Sequence, residues 1–321
     1  MNQVMSVSAH CHQALGDSVL RLSLTPQQLL RRLSAFGAVV VTTLTRAARS
    51  SQVMRFSAGS EDARRWQYRD QRCLLRQQWL SDAPVSVMAT LAPMGEVPGH
   101  ALVLFDQHGE PLQWITLGCA QAKRAFDDMV CTTLHQDQFR WQHAAPRTGP
   151  DHIAELDGRD LERQWCLNDP IAQQTLSGYP HCRATLYRQL RPALARQIPT
   201  YHVAEVLAHA ALQDKAITIC LDNAGAALCL SAPWGRPRWQ AQRCHLMHKG
   251  VMLSLEHRAV DTVWRLRRPA GDHIKVVIEA LDKEGRSLWR LSAGKPASDD
   301  RQARRHSETA WQQLLQTAFD G

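Results

Sequence analysis

Two stretches decide the fold: MATLAPMGEVPGHALVLFDQHGEPLQW, from Met88 to Trp114, and WRLRRPAGDHIKVVIEALDKEGRSLWR, from Trp264 to Arg290. They align without a gap, and Pro93, Asp106, Gly109 and Leu112 meet Pro269, Asp282, Gly285 and Leu288 at one constant offset. Each reads as a strand, a proline-led loop, a second apolar strand, a DxxG turn and a third strand. In that turn the aspartate can cap the backbone, and the glycine can take the positive φ the turn demands. Chance can copy one such turn, but not readily a register across three strands. The chain is therefore read as two copies of one unit.

Outward from this core the correspondence continues. Gln27 to Phe36 is helical in period, starts with Thr25, Pro26 and Gln28 as N-cap, first-turn proline and capping-box partner, and precedes AVVVTTLTRAARSSQVMRFSA. Val203 to Leu212 is helical and precedes AITICLDNAGAALCLSA. Amphipathic helices over Gln121 to Leu134 and Glu308 to Phe319 close each copy. HAAPRTGPDHIAELDGRD, rich in Pro, Gly and charge, reads as the linker, and GKPASDDRQARRH as a solvated loop. The expected fold is α+β, a tandem structural repeat in which each half is an antiparallel sheet with flanking helices. Residues 1–150 form the first repeat, and residues 151–321 the linker helices and second repeat.

The 321 residues are 44% hydrophobic, enough for a sizeable core. No segment approaches the roughly 18 to 20 apolar residues needed to span a bilayer, and the N-terminus lacks an export pattern. The nine cysteines are odd in number and without a CxxC pair, and they read as reduced, mostly buried thiols in a cytoplasm. A net charge of +8 favours an anionic partner: nucleic acid, phosphate or a carboxylate-bearing ligand. The basic pairs Arg31-Arg32, Arg64-Arg65 and Arg304-Arg305 fall on different elements without interleaved aromatics. They read as solvated faces rather than a nucleic-acid platform.

Phosphate-loop, dinucleotide, HExxH and GxSxG motifs are absent. His10-Cys11-His12 lacks further ligands at fixed spacing. His245 and His248, beside Cys244, point to opposite faces of a strand. His202 and His209 can share a helix face.

ITICLDNAG, VWRLRRPAGDHIKVVIEALDKEG and a late GKP before a tryptophan helix resemble the C-terminal half of the bacterial HemS/ChuS/HmuS hemin-handling family. AFGAVVVTTLTR and VLFDQHGEPL resemble that family's first-half LGxVxxLTRN strand and FFDxxGxxxxK hairpin. The likeness runs from about Leu24 to the end. It implies a cytoplasmic protein that binds one heme after uptake and either passes it on or opens the ring. It also implies an uptake transporter or a downstream heme acceptor as partners, no nucleic acid and no membrane insertion. A porphyrin needs a flat apolar slot, an axial iron ligand and cations for two propionates.

In the family the axial histidine follows a linker tryptophan; here that stretch is WCLNDPIAQQTL, and the histidine column holds Ile171. PHCRATLYRQL, ten residues on, resembles a second family segment and keeps His181. His181 can ligate iron, with Cys182 as a softer alternative, or it can cap the helix after Pro180. Gln78 and Glu256 stand where family arginines are expected, while Arg76 lies two residues away on the same strand face. Arg236 and Arg238 can reach a propionate, with Trp234 and Trp239 against a porphyrin edge or tucked into the core. The leading expectation is a heme carrier with His181, Arg76, Arg236 and Arg238 at its site. The competitor is a relative that keeps the fold without heme and serves as a protein-interaction or regulatory module.

Overall fold

The computed structural model describes residues 18–45, 47–56, 65–70, 73–79, 86–93, 99–105, 111–118, 120–136, 138, 158–166, 183–222, 226–270, 273–296 and 300–320. The first half of the chain supplies β1 (Val19–Leu22), α1 (Pro26–Leu33), β2 (Ala38–Leu44), β3 (Ala48–Arg55), β4 (Arg65–Asp70), β5 (Cys73–Trp79), β6 (Ser86–Thr90), β7 (Ala101–Phe105), β8 (Pro111–Leu117) and α2 (Ala120–Thr133). Next come α3 (Gly158–Cys166) and α4 (Arg183–Gln189). The second half continues with β9 (Ala195–Ile198), α5 (His202–Leu212), β10 (Ala216–Asp222), β11 (Ala226–Pro233), β12 (Arg238–Gln240), β13 (Arg243–His248) and β14 (Val251–Glu256). It ends with β15 (Thr262–Ala270), β16 (His273–Leu281), β17 (Ser287–Ala293) and α6 (Arg301–Asp320).

The aligned stretches become the same three-strand meander, β6-β7-β8 and β15-β16-β17. Even its irregularity repeats: the register shifts between Leu104 and Phe105 in one copy and between Ala280 and Leu281 in the other, at aligned positions. The second DxxG turn forms as its residues require. Asp282 Oδ1 accepts from the Arg286 amide at 2.8 Å, and Gly285 sits at φ 74°. Asp106 and Gly109 lie outside the described residues.

All described strand pairings are antiparallel, in two sheets. The nine-stranded sheet runs β1-β6-β7-β8-β2-β3-β14-β13-β12, and the eight-stranded sheet runs β4-β5-β11-β10-β17-β16-β15-β9. Read from opposite ends, the orders superimpose: β14 and β5, β3 and β11, β2 and β10, β8 and β17 occupy matching places. The halves have exchanged hairpins. β4 and β5 extend the second repeat's sheet through β11, and β13 and β14 extend the first repeat's sheet through β3. The expectation of one sheet per half is thus refined, since each sheet is completed by strands of the other half.

Alternation along each strand then assigns faces. Val39, Val41, Leu102, Leu104 and Ile115 of the first sheet pack against Leu29 and Leu33 of α1 and Phe126 of α2. Thr25 caps α1 as expected: its amide donates to Gln28 Oε1 at 2.8 Å, and its Oγ1 accepts from the Gln28 amide at 3.2 Å. Val263, Ile278 and Leu291 of the second sheet pack with Val206 of α5 and with Trp311 and Leu315 of α6. Two bonds pin α6 to one residue of β16: the Val276 amide donates to Glu308 at 2.6 Å, and Trp311 Nε1 donates to the Val276 carbonyl at 2.9 Å. The tract RQARRH belongs to this helix, contrary to its reading as a loop, because Asp300 caps it, accepting from the Ala303 amide at 2.6 Å.

A second correction concerns the cysteines. Cys220 and Cys229 stand directly opposite each other on β10 and β11, their Cα atoms 4.1 Å apart, and they are joined as a disulfide. Cys131 and Cys166 are exposed thiols, and Cys244 is a buried one. No described helix is long and apolar enough to cross a membrane.

Candidate functional site

The second sheet has its α5 and α6 core on one face; its other face is where ionisable groups gather. Along α4, Arg183, Leu186 and Tyr187 recur at helical spacing and so share a side, with Leu190 just past the helix end. Leu161 and Trp165 do the same on α3. These residues pack on Trp264, Leu266 and Leu281 of β15 and β16. Trp165 Nε1 donates to the Arg267 carbonyl at 2.8 Å, and Tyr187 meets Trp165 and Trp264 at ring distances of 5.9 and 5.6 Å. The two helices therefore roof one end of this face.

Under the roof Glu279 is fully buried on β16. One carboxylate oxygen is ion-paired with Arg183, and the other accepts from the Tyr187 hydroxyl. Burial alone would raise its pKa, but Arg183, Arg290 and the hydrogen bonds from Tyr187 and Ser287 prevail and hold it at about 2. Burial and the neighbouring carboxylate push Tyr187 well above the usual phenol range. Glu279 is consequently a fixed anion and Tyr187 a fixed donor near neutrality, which suits positioning rather than proton transfer.

Cations outnumber that anion. The Arg268 guanidinium stacks on the Trp165 ring at 4.1 Å. Its Nε is shut off from solvent and makes no hydrogen bond among the described residues, and burial lowers its pKa from the ordinary value. Lys275 is its cross-strand partner. A donor kept dry and unused beside surplus positive charge is chemically suited to an anion.

Directly opposed residues carry the face across the sheet in one row: Trp264, Glu279, Arg290, Cys220, Cys229 and Arg76. The matching row of the first repeat is Met88, Val103, Trp114, Thr42, Ser51 and Met252. Met88, Val103 and Trp114 form a buried apolar cluster there with Phe105, and Arg49 stacks over Trp114 at 4.8 Å. One scaffold thus bears a largely apolar row with a single stacked arginine in one copy and a row of charge and sulfur in the other.

The structure distributes the residues singled out by sequence unevenly. Arg76 enters the row by register, from the exchanged β5. Gln78 pairs with Ala227 on the same strand, two residues along. His181, Cys182 and Ile171 lie outside the described residues, as do His10, Cys11 and His12. Arg183 is the first residue of α4. Arg236 and Arg238 are exposed and belong to the segment entering β12, the edge strand of the other sheet, where Arg238 pairs with His245. Trp234 is a core residue, its Nε1 donating to the Ile217 carbonyl at 3.3 Å, whereas Trp239 is 46% exposed. Glu256 is ion-paired with its cross-strand neighbour Arg243 at 2.7 Å. His202 Nδ1 lies 2.7 Å from Glu205. Among the described residues no group of three or more His, Cys, Asp or Glu is arranged to hold a metal.

Sequence reasoning missed Glu279, Arg290, Arg268, Tyr187 and the cysteine pair. A signal for two of them was present: at aligned positions, Val103 and Trp114 of one copy become Glu279 and Arg290 of the other.

No family model and no curated protein matches the sequence. Among solved structures the chain is similar to holo-PhuS, a heme-binding protein from Pseudomonas aeruginosa. They share 19% identity, with 98% of this chain and 90% of that one covered, at a TM-score of 0.78. It is similar also to ChuS, an Escherichia coli heme oxygenase, at 15% identity, 98% and 93% coverage and a TM-score of 0.77. The O157:H7 heme degrading enzyme ChuS matches at 15% identity, 95% and 90% coverage and a TM-score of 0.76. The chain has the fold of these proteins over nearly its whole length.

Proposed function

We propose that the protein binds heme on the outer face of its second sheet and carries it in the cytoplasm, between an uptake transporter and a downstream acceptor. The observation that carries this is the contrast between repeats: where the first copy's row holds Val103, Trp114, Thr42 and Ser51, the second copy's holds Glu279, Arg290, Cys220 and Cys229, on the scaffold shared with PhuS and ChuS. The residues fit the group. Trp165 and Trp264, buried under the α3 and α4 roof, make that end of the face apolar and aromatic, and Arg268 and Arg290 would supply charge for propionates. His181, two residues ahead of α4 in the chain, is the candidate axial ligand. Arg76 is proposed as a contact contributed by the exchanged hairpin, and Arg236 and Arg238 as solvent-side contacts.

When bound, heme supplies an iron centre whose reactivity is set by its ligands and surroundings. Glu279 holds α4 against the sheet through Tyr187 and Arg183.

Titration of the purified protein with hemin is expected to give a saturable Soret change at one equivalent. Arg268→Ala is expected to weaken binding about tenfold, the loss of one charge-assisted contact. His181→Ala is expected to change the spectrum. No saturable change in the wild type would overturn heme binding and leave the protein-interaction module. Loss of the Soret band on adding a reductant and oxygen would replace carriage by ring opening.

A further inference from the structure

We propose that Cys220 and Cys229 form a redox-gated thiolate site on this face, offering a sulfur ligand to the iron of bound heme when reduced and withholding it as the disulfide. This rests on the heme reading above. Three observations carry it. The two cysteines are directly opposed on neighbouring central strands and lie partly exposed on the charged face, not in the α5 and α6 core. They sit in register between two arginines, Arg290 beside Cys220 and Arg76 beside Cys229. In the first repeat the matching pair is Thr42 and Ser51, whose hydroxyls are hydrogen-bonded at 2.9 Å, so the sheet needs no cross-link at this point.

The guanidinium charge of Arg290 favours thiolate over thiol at Cys220, and the thiolate is the ligating form. A dithiol reductant breaks the S–S bond by exchange: two electrons and two protons pass to the pair, the reductant leaves as its own disulfide, and two thiols remain. One thiol loses its proton on ligating iron. The arrangement also gives a metal ligand to a chain whose family histidine column holds Ile171.

The test uses the full chain in two states, air-oxidised and dithiol-reduced, the second confirmed by mass after alkylation. Peptide mapping should show Cys220 and Cys229 gaining label only after reduction. Hemin added to each state is expected to give different spectra, with thiolate-type bands in the reduced protein alone. Cys220→Ser and Cys229→Ser, singly and together, should fold, since they approximate the Thr42 and Ser51 pair. The double variant is expected to give the oxidised-type spectrum under both conditions. Saturable hemin binding with one spectrum across redox states and variants would overturn the thiolate site while leaving heme binding intact. Absence of hemin binding in both states would overturn both readings. Labelling of both cysteines without prior reduction would overturn the disulfide.

Discussion

Replacing Glu279 with alanine is expected to destabilise the protein by about 3–5 kcal/mol, the usual result of stripping one partner from a buried ion pair. Arg183 would lose the carboxylate it is paired with, and the Tyr187 hydroxyl would lose its acceptor in an apolar surround. Glu279→Gln keeps the shape and can still accept from Tyr187, so it should fall between the two. Chemical denaturation of the three proteins at neutral pH reads the difference. The same carboxylate makes stability depend on acid. Its folded pKa, about 2, lies below the ordinary 4.5, so its contribution is fully present above about pH 4.5 and fades as pH falls towards 2. That contribution is on the order of 3 kcal/mol. Wild type should therefore lose its advantage over Glu279→Gln in that window, and a constant difference between them down to pH 2 would contradict the pairing.

Gly294→Ala is expected to cost about 3 kcal/mol or more, because the added Cβ would lie 2.3 Å from the Ala216 carbonyl oxygen. The obstacle is backbone at the start of β10, which a rotamer change cannot move. Gly118 meets the Ala38 oxygen at the same 2.3 Å at the aligned position of the first repeat, so the same substitution there should cost a similar amount. Gly37→Ala provides the contrast. Its φ is 69° and its ψ −126°, with no described atom within 4 Å of the new Cβ, so only local backbone strain of about 1–3 kcal/mol is at stake. Equal losses at Gly37 and Gly294 in thermal unfolding would show that strand contact is not the cause.

The meander, its turn and the capping of α1 were legible because each is encoded locally. Alternation, an Asp-to-Gly spacing and a Thr/Gln pair specify short-range geometry. Hairpin exchange was not legible, because alternation along β5 or β14 says which face a residue takes and nothing about which strand lies alongside. The start of α6 was missed because its first turns, around Arg301 and Arg305, are exposed and therefore polar, like a loop. Glu279 and Arg290 were missed for a related reason. A charged residue within a strand reads as facing solvent, and only the roof formed by α3 and α4 turns that face into an interior. Likewise Cys220 and Cys229 become partners through a register that the odd cysteine count concealed. Trp234 took the core position that was one of its two readings.

The exchanged hairpins bear on how such a chain came to be. A lone copy of the unit would send out a two-stranded ribbon with no sheet of its own to join and leave an open strand edge waiting for one. Another identical copy would satisfy both needs at once, each lending what the other lacks. Two-fold reciprocity of this kind is the signature of a homodimer, and in this chain it survives inside a single polypeptide. Within one polypeptide, symmetry does not bind the sequences of the two copies together. One copy presents a largely apolar row with Arg49 stacked on Trp114, while its twin presents arginines, a buried carboxylate and a sulfur pair.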